Sequence, residues 1–271
     1  MTAMTPESVR ELIDLRWLDG LLQLEVFGEL DSTNSYLLQQ PRPAAGRWRV
    51  AIAERQTRGR GRRGRVWVSP PSSGLYLSLA FSFAAVPRDL PSLSLAAGVG
   101  IARYLEKIGT NDVGVKWPND IVARNGKLGG ILSEVHTLRG AGLTIVVGVG
   151  LNLDFGNGGP AIQSSLGKAV DLASCCEVMP SRSKLAAGVI AALIDALQRF
   201  ETEGFSNFHE TWRRYDWLRG RQVAVERNAT TNAGIADGVD TDGALLLNED
   251  GQIRRITSGS VAVLENPGMQ P

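Results

Sequence analysis

Only two cysteines and two histidines occur in 271 residues, and that scarcity narrows the field first. Cys175 and Cys176 are adjacent, so they could join only through a strained ring, and no disulfide framework can be built from them. His136 and His209 lie far from that pair, which leaves no zinc set. Two reduced thiols in a cytoplasmic protein is the reading that follows. No apolar run approaches the roughly 20 residues a helix needs to cross a bilayer, so no membrane partner is expected. Residues 1–11 have neither a basic n-region nor an apolar h-region, hence no visible secretory signal. An excess of one charge is lacking too: 29 Lys+Arg oppose 28 Asp+Glu, a net of +1. A protein that coats nucleic acid carries a broad basic surface, and this balance argues against one. With 43% hydrophobic and 21% charged residues, the composition is that of a soluble globular enzyme of one or two domains.

Against that even background, five arginines crowd into Arg58-Gly59-Arg60-Gly61-Arg62-Arg63-Gly64-Arg65, with Trp67 just beyond. Guanidinium forks suit carboxylates and phosphates, and the glycines let the backbone approach a ligand closely. One intensely basic loop on a near-neutral protein points to a site for a small anion. The spacing Gly59-x-Gly61-x-x-Gly64 formally matches a dinucleotide fingerprint. That fingerprint needs a helix opening at its third glycine, whereas Arg65-Val66-Trp67-Val68-Ser69-Pro70-Pro71 is extended and then broken by prolines. An RNA- or DNA-binding Arg-Gly tract is the stronger rival, but such tracts sit in low-complexity tails and this one joins two strand candidates.

Thr5-Pro6-Glu7 reads as a helix start, with Val9, Leu12, Ile13 and Trp17 on one helical face. A strand is expected at 24–27, then a loop at Asp31-Ser32-Thr33-Asn34 able to cap the next helix. A second strand at 49–54 leads into the arginine loop. Leu75, Leu77, Leu79, Phe81 and Phe83 alternate with small or polar residues, the period of a long, half-buried antiparallel strand. A small-residue helix at 93–108 precedes strands at 113–116, 131–135 and 143–149. The glycine-rich stretch 154–160 reads as a mobile loop. Residues 184–200 form an amphipathic helix, and Phe205, Phe208, Trp212 and Tyr215 continue a core stripe. Beyond Gly220 come short strands at 223–226, 234–239, 244–248, 252–256 and 260–264, separated by Asp-Gly turns. The fold expected is α+β: a mixed, mostly antiparallel sheet with helices packed on it, plus a small C-terminal β-barrel of SH3-like type. The division expected is residues 1–219 and 220–271.

Lys116-Trp117-Pro118-Asn119-Asp120 brings an amide and a carboxylate out together where proline stops a strand; alone it could be a turn with Trp117 in the core. Lys127 enters a strand through Gly129 and Gly130, a place for close ligand approach or merely a hairpin with a solvated lysine. Gly148-x-Gly150-x-Asn152 closes a strand with small residues and one amide. Singly these are weak. In order, with Ser32-Thr33-Asn34, Glu54-x-Gln56, the arginine loop, and Lys127-Leu128-x-Gly130-Ile131-Leu132-x-Glu134, they resemble the biotin protein ligase family over about residues 30–265.

The resemblance implies ATP-dependent adenylation of biotin with Mg²⁺, then transfer to one lysine of a biotin carboxyl carrier protein of a carboxylase. It assigns catalysis to Arg62 and Lys127, and biotin binding to Ser32, Thr33, Asn34, Gln56, Gly59, Arg60, Arg62, Lys127 and Gly130. For ATP and the adenylate it implies Arg62, Arg63, Arg65, Trp67, Lys116, Asn119, Asp120 and Asn152, with Asp120 as a metal ligand. Family members that double as repressors carry an N-terminal winged helix; 31 residues precede Ser32 here, so no specific DNA binding is expected. A homodimer is possible. The adenylate-covering loop near 155–160 lacks the bulky apolar residues of many members. A lipoate or octanoate enzyme of the same fold is the nearest rival; a thioester route would need a site cysteine, and Cys175 and Cys176 lie outside every motif.

Overall fold

The computed structural model describes residues 4–87, 89–136, 143–156, 168–227 and 230–264. Seven strands make the large sheet: β1 (Leu21–Leu30), β2 (Trp48–Gln56), β3 (Gly74–Phe83), β4 (Gly114–Lys116), β5 (Asp120–Ala123), β6 (Gly126–His136) and β7 (Leu143–Asn152). Their order is β1-β2-β3-β7-β6-β5-β4. Only β1 and β2 run parallel, because helix α3 (Thr33–Gln39) provides the crossover between them; the other neighbours are antiparallel. The mixed, mostly antiparallel sheet expected from the sequence is therefore present.

One face of the sheet is covered by α4 (Leu93–Lys107) and the long helix Arg182–Glu203. The stripe Leu185, Val189, Leu193, Leu197 and Phe200 is buried there, and Phe205, Phe208, Trp212 and Tyr215 extend the same core. Small residues let these layers close up: a Cβ on Gly100 would sit 2.9 Å from the Ala192 carbonyl oxygen on the facing helix. The other face is shared between α3 and a cavity. β3 is consequently buried along its whole length, not on one side as its alternation suggested. Leu75, Leu77, Leu79, Phe81 and Phe83 face the helical layer, while Ala80 packs with Leu37 of α3, Ala51 and Val146.

The N-terminal helix also differs from its sequence pattern. Thr5 caps α1 (Pro6–Arg10), and the Asp14 side chain accepts from the Arg16 amide to start a second short helix, α2 (Leu15–Leu18). A new N-cap breaks the periodicity, so Leu12 is exposed while Val9, Ile13 and Trp17 remain buried.

The C-terminal strands, β8 (Gln222–Arg227), β9 (Thr230–Val239), β10 (Leu245–Glu249), β11 (Gln252–Ile256) and β12 (Ser260–Val263), form an antiparallel sheet ordered β11-β10-β9-β8-β12. The small all-β unit is as expected, but as an open sheet: among the described residues β11 and β12 do not meet to close a barrel. Asp250 and Gly251 both take positive φ, 53° and 91°, the two-residue turn that matches hairpin twist. This sheet is pinned to the large one where the Trp117 indole donates to the Gly243 carbonyl at 3.0 Å.

Candidate active site

The arginine loop is a tight turn held by its own backbone. Trp67 N–H donates to Gly59 O at 2.9 Å, Gly61 N–H to Arg65 O at 2.7 Å, and Arg65 N–H to Arg62 O at 3.2 Å. Arg63 sits in the left-handed region at φ 56°, followed by Gly64 at 74°. The third glycine opens no helix, which removes the dinucleotide reading. A Cβ on Gly59 would lie 2.9 Å from Ser69 Oγ and collide with the Trp67 carbonyl, so only glycine lets the two arms of the loop meet.

Beneath the loop lies a cavity of about 400 Å³. Every residue assigned a catalytic or binding role above lines it except Gly59, whose contribution is to the loop's geometry; Arg58, Gly64 and Glu134 of the same motifs do not. Its floor is the Trp67 indole lying on strand positions that can bear no side chain: a Cβ on Gly150 would be 2.6 Å from Trp67 Cε2, and one on Gly130 3.2 Å from Cζ3.

At one end the lining is neutral and polar. Ser32 caps α3, accepting from the Ser35 amide, and Ser32, Thr33 and Asn34 are all buried. Thr33 N–H donates to Gln56 Oε1 at 2.8 Å, and Gln56 Nε2 to Ser69 Oγ at 3.2 Å. The Ser78 hydroxyl lies 2.6 Å from both Thr33 Oγ1 and Asn34 Oδ1. Asn34 Nδ2 donates to the Leu132 carbonyl at 3.3 Å and to Glu134 Oε2 at 2.9 Å, its amide packed against Gly148.

At the other end cations dominate. Among the described lining residues, Arg60, Arg62, Arg63, Arg65, Lys116 and Lys127 face a single carboxylate, Asp120. Lys127 Nζ pairs with Asp120 Oδ1 at 2.7 Å and stands 5.3 Å over the Trp67 ring, so it is not the solvated hairpin lysine its spacing allowed. Arg62 Nη1 donates to Asn119 Oδ1 at 3.2 Å, and Asn119 Nδ2 to the Ile131 carbonyl at 2.7 Å. Burial pushes the Arg62 pKa down, assisted by Arg63; burial also lowers Lys116, with Lys127 adding to the effect. Both cations are therefore short of compensating negative charge. Asn152 spends Nδ2 on the carbonyls of Lys127 and Val170, leaving its oxygen as the polar atom it can offer.

Three residues with no sequence-based role complete the site. Ser78 faces the cavity side of β3, Glu134 ties Asn34 to Arg60, and Ser260 of the C-terminal sheet accepts from Arg63 Nη1 at 3.3 Å and Arg65 Nη2 at 3.0 Å. Glu134 ended a motif and could have been found there; Ser78 and Ser260 carry no local signal. Cys175 is buried, which raises its thiol pKa, and neither cysteine lines the cavity. No group of three or more His, Cys, Asp or Glu suited to a metal occurs among the described residues. The stretch expected to cover an adenylate falls at 157–160 outside the described residues; Phe155, just before it, is buried.

A cavity neutral at one end and cationic at the other suits a ligand with an uncharged polar head and an anionic tail, together with phosphates. Residues 27–152 match the Biotin/lipoate A/B protein ligase family, and residues 219–264 match the Biotin protein ligase C terminal domain. The bifunctional ligase/repressor BirA of Escherichia coli is 34% identical over 264 residues, 95% of this chain and 80% of that one. The biotin–[acetyl-CoA-carboxylase] ligase of Mycobacterium tuberculosis is 32% identical over 253 residues, 90% of each. Among solved structures, the Aquifex aeolicus biotin protein ligase in complex with biotin and ATP superimposes with a TM-score of 0.75 at 26% identity, covering 90% of this chain and 100% of that one.

Proposed function

The chain belongs to the biotin protein ligase family, and from that membership we propose how its cavity is divided between two substrates. It is an ATP-dependent ligase that activates biotin and transfers it to protein. The observation that carries the division is the six cations facing one carboxylate at one end of a cavity whose other end is neutral.

In the first half-reaction an oxygen of the biotin carboxylate bonds to the α-phosphorus of ATP, the bond to the β-phosphate oxygen breaks, and pyrophosphate leaves. Bringing two anions to about 4 Å costs on the order of 4 kcal/mol at an effective dielectric near 20. Arg62 and Lys127 offset that repulsion at the carboxylate–phosphate junction, with Arg60, Arg63 and Arg65 holding the loop and the phosphates. Lys116 and Asn119 lie on the triphosphate side, and Asn152 meets the junction from β7. Ser32, Thr33, Asn34 and Gln56, with the backbone around Gly59 and Gly130, hold the ureido ring, and an acid lacking that ring would leave their polar groups unpaired. Trp67 packs on the adenylate and excludes water from the anhydride. In the second half-reaction an acceptor lysine amine attacks the anhydride carbonyl, AMP departs, and the amine proton is released; no enzyme nucleophile takes part.

Mg²⁺ fits this site as a companion of the nucleotide. Asp120 is the one carboxylate among the described lining residues and is already paired with Lys127, so phosphates and water would complete the metal's oxygen shell, as Mg²⁺ prefers. The metal supplies charge neutralisation on the phosphates.

The acceptor in this reading is a lysine of a biotin carboxyl carrier protein, and the enzyme is cytoplasmic; no described helix is long and apolar enough to cross a membrane. Residues 1–219 act as the ligase domain and 220–271 as the C-terminal unit. The described helices before β1 have five and four residues, too short for a recognition helix, so no DNA-reading role is proposed for them. A second copy, in this reading, pairs along β1, one of the two edges of the large sheet; the other edge, β4, is bridged at Val115 by Asp216 and Trp217. The deciding experiment is ATP–pyrophosphate exchange with biotin, lipoate and octanoate offered in parallel. Exchange with biotin alone is expected; exchange driven by lipoate and not biotin overturns the reading.

A further inference from the structure

The arginine loop reaches the rest of the molecule through few side chains, and most of those contacts are neutral. Arg62 meets the Asn119 amide, and Arg63 and Arg65 share the Ser260 hydroxyl. Arg60 differs. Its Nη2 lies 2.6 Å from Glu134 Oε1, the one ion pair made by a loop arginine among the described residues, with Nη1 also donating to Ser35 Oγ at 3.4 Å. The other carboxylate oxygen, Glu134 Oε2, accepts from Asn34 Nδ2 at 2.9 Å. A single carboxylate thus grips both the loop above the cavity and the first turn of α3 at its neutral end.

Glu134 is well placed to do this without touching a ligand. Alternate residues of a strand share a face, so it lies in line with Gly130 and Leu132, which line the cavity, while Glu134 stands just outside. Asn34 is fixed on its other side by Ser78 and by the close approach of Gly148. A ligand that bears on Asn34 therefore bears, through its Nδ2, on the carboxylate that holds Arg60, and a loop held down over the cavity bears on Asn34 in return.

We propose that Glu134 is a positioning residue that couples occupancy of the neutral end of the cavity to closure of the arginine loop. The inference rests on the assignment of that end to the biotin ring. The pair with Arg60 is half-exposed, at 45% for Arg60 and 21% for Glu134, so salt screens it. Glu134→Gln keeps an acceptor oxygen at only one of the two positions that face Asn34 and Arg60, sets an NH2 donor against the other, and carries no charge.

The test compares wild-type protein with Glu134→Gln and Glu134→Ala, first without any substrate. Hydrogen exchange of the Gly61, Arg65 and Trp67 amides reports how firmly the loop is closed; both variants should exchange about tenfold faster, the ratio that one partly screened charged hydrogen bond carries. With biotin and ATP, both should release the adenylate about tenfold faster and show a raised KM for biotin with the KM for ATP unchanged. Added salt should speed release from the wild type more than from Glu134→Gln, which keeps the other cationic contacts but has already lost this screened pair. Unchanged loop exchange in the near-isosteric Glu134→Gln overturns the proposal, as does an equal rise in both KM values or an equal salt response in the two proteins. Wild-type protein that forms no biotinyl adenylate sinks the substrate assignment instead, and loop exchange then still decides whether Glu134 tethers the loop.

Discussion

The two ends of the cavity solve different problems. At the neutral end, Thr33, Asn34, Gln56 and Ser78 are bonded to one another and Ser32 to the Ser35 amide, so the polar lining there is set by folding. At the cationic end, six positive side chains line a cavity holding one carboxylate, Asp120, with Glu134 pairing Arg60 from just outside, and burial already works against the charge on Arg62 and Lys116. The first end is satisfied and selects; the second is left unsatisfied and is completed by anions. A site that must bring a carboxylate and a phosphate together gains by keeping that compensation for them.

If this contrast is right, the largest effects belong to the cationic end. Lys127→Ala should lower adenylate formation by at least ~100-fold, the scale for losing one electrostatic stabiliser, measured by pyrophosphate exchange. Transfer from pre-made adenylate should suffer less; an equal loss there, with formation intact, would move Lys127 away from the junction. Arg62→Gly should release the adenylate roughly tenfold to a hundredfold faster, since one charged hydrogen bond is worth about 1.5–3 kcal/mol. The freed anhydride would then label lysines of bystander proteins, which a mass-spectrometric count of modified albumin checks. An unchanged off-rate with formation abolished would assign Arg62 to making the anhydride and not to keeping it.

Ser78→Ala probes the other end. It removes a neutral hydroxyl shared by Thr33 and Asn34, so biotin affinity should fall by about tenfold at most, with ATP affinity untouched in calorimetric titrations. A matching loss for ATP would mean the two ends are not separable. The smallest effect is expected from Ser260→Ala, where Arg63 and Arg65 lose one exposed acceptor and the KM for ATP rises about two- to fivefold.

What the sequence made legible was whatever chemistry lay in consecutive residues. The arginine loop, the Lys116–Asp120 turn and the Lys127 and Gly148 stretches each announce themselves, and their residues with an expected catalytic or binding role, Gly59 excepted, line one cavity. Ser78 was hidden because the alternation of β3 gives no hint that α3 would bury its second face. The N-terminal helix misled because Asp14 fits a helical stripe as well as it caps a new helix. Ser260 could not be read at all, since nothing in a short C-terminal strand marks which hydroxyl will meet a loop 195 residues away.

That last distance has a consequence in time. During synthesis the arginine loop leaves the ribosome long before Ser260 does, so the large sheet can pack while Arg63 and Arg65 still lack their partner. The catalytic sheet and its helices should acquire native fluorescence first, and full ATP affinity should follow only when the final strand docks. The loop is thus completed by a strand made about 195 residues after it, and a chain halted or clipped before that strand is expected to hold nucleotide more weakly.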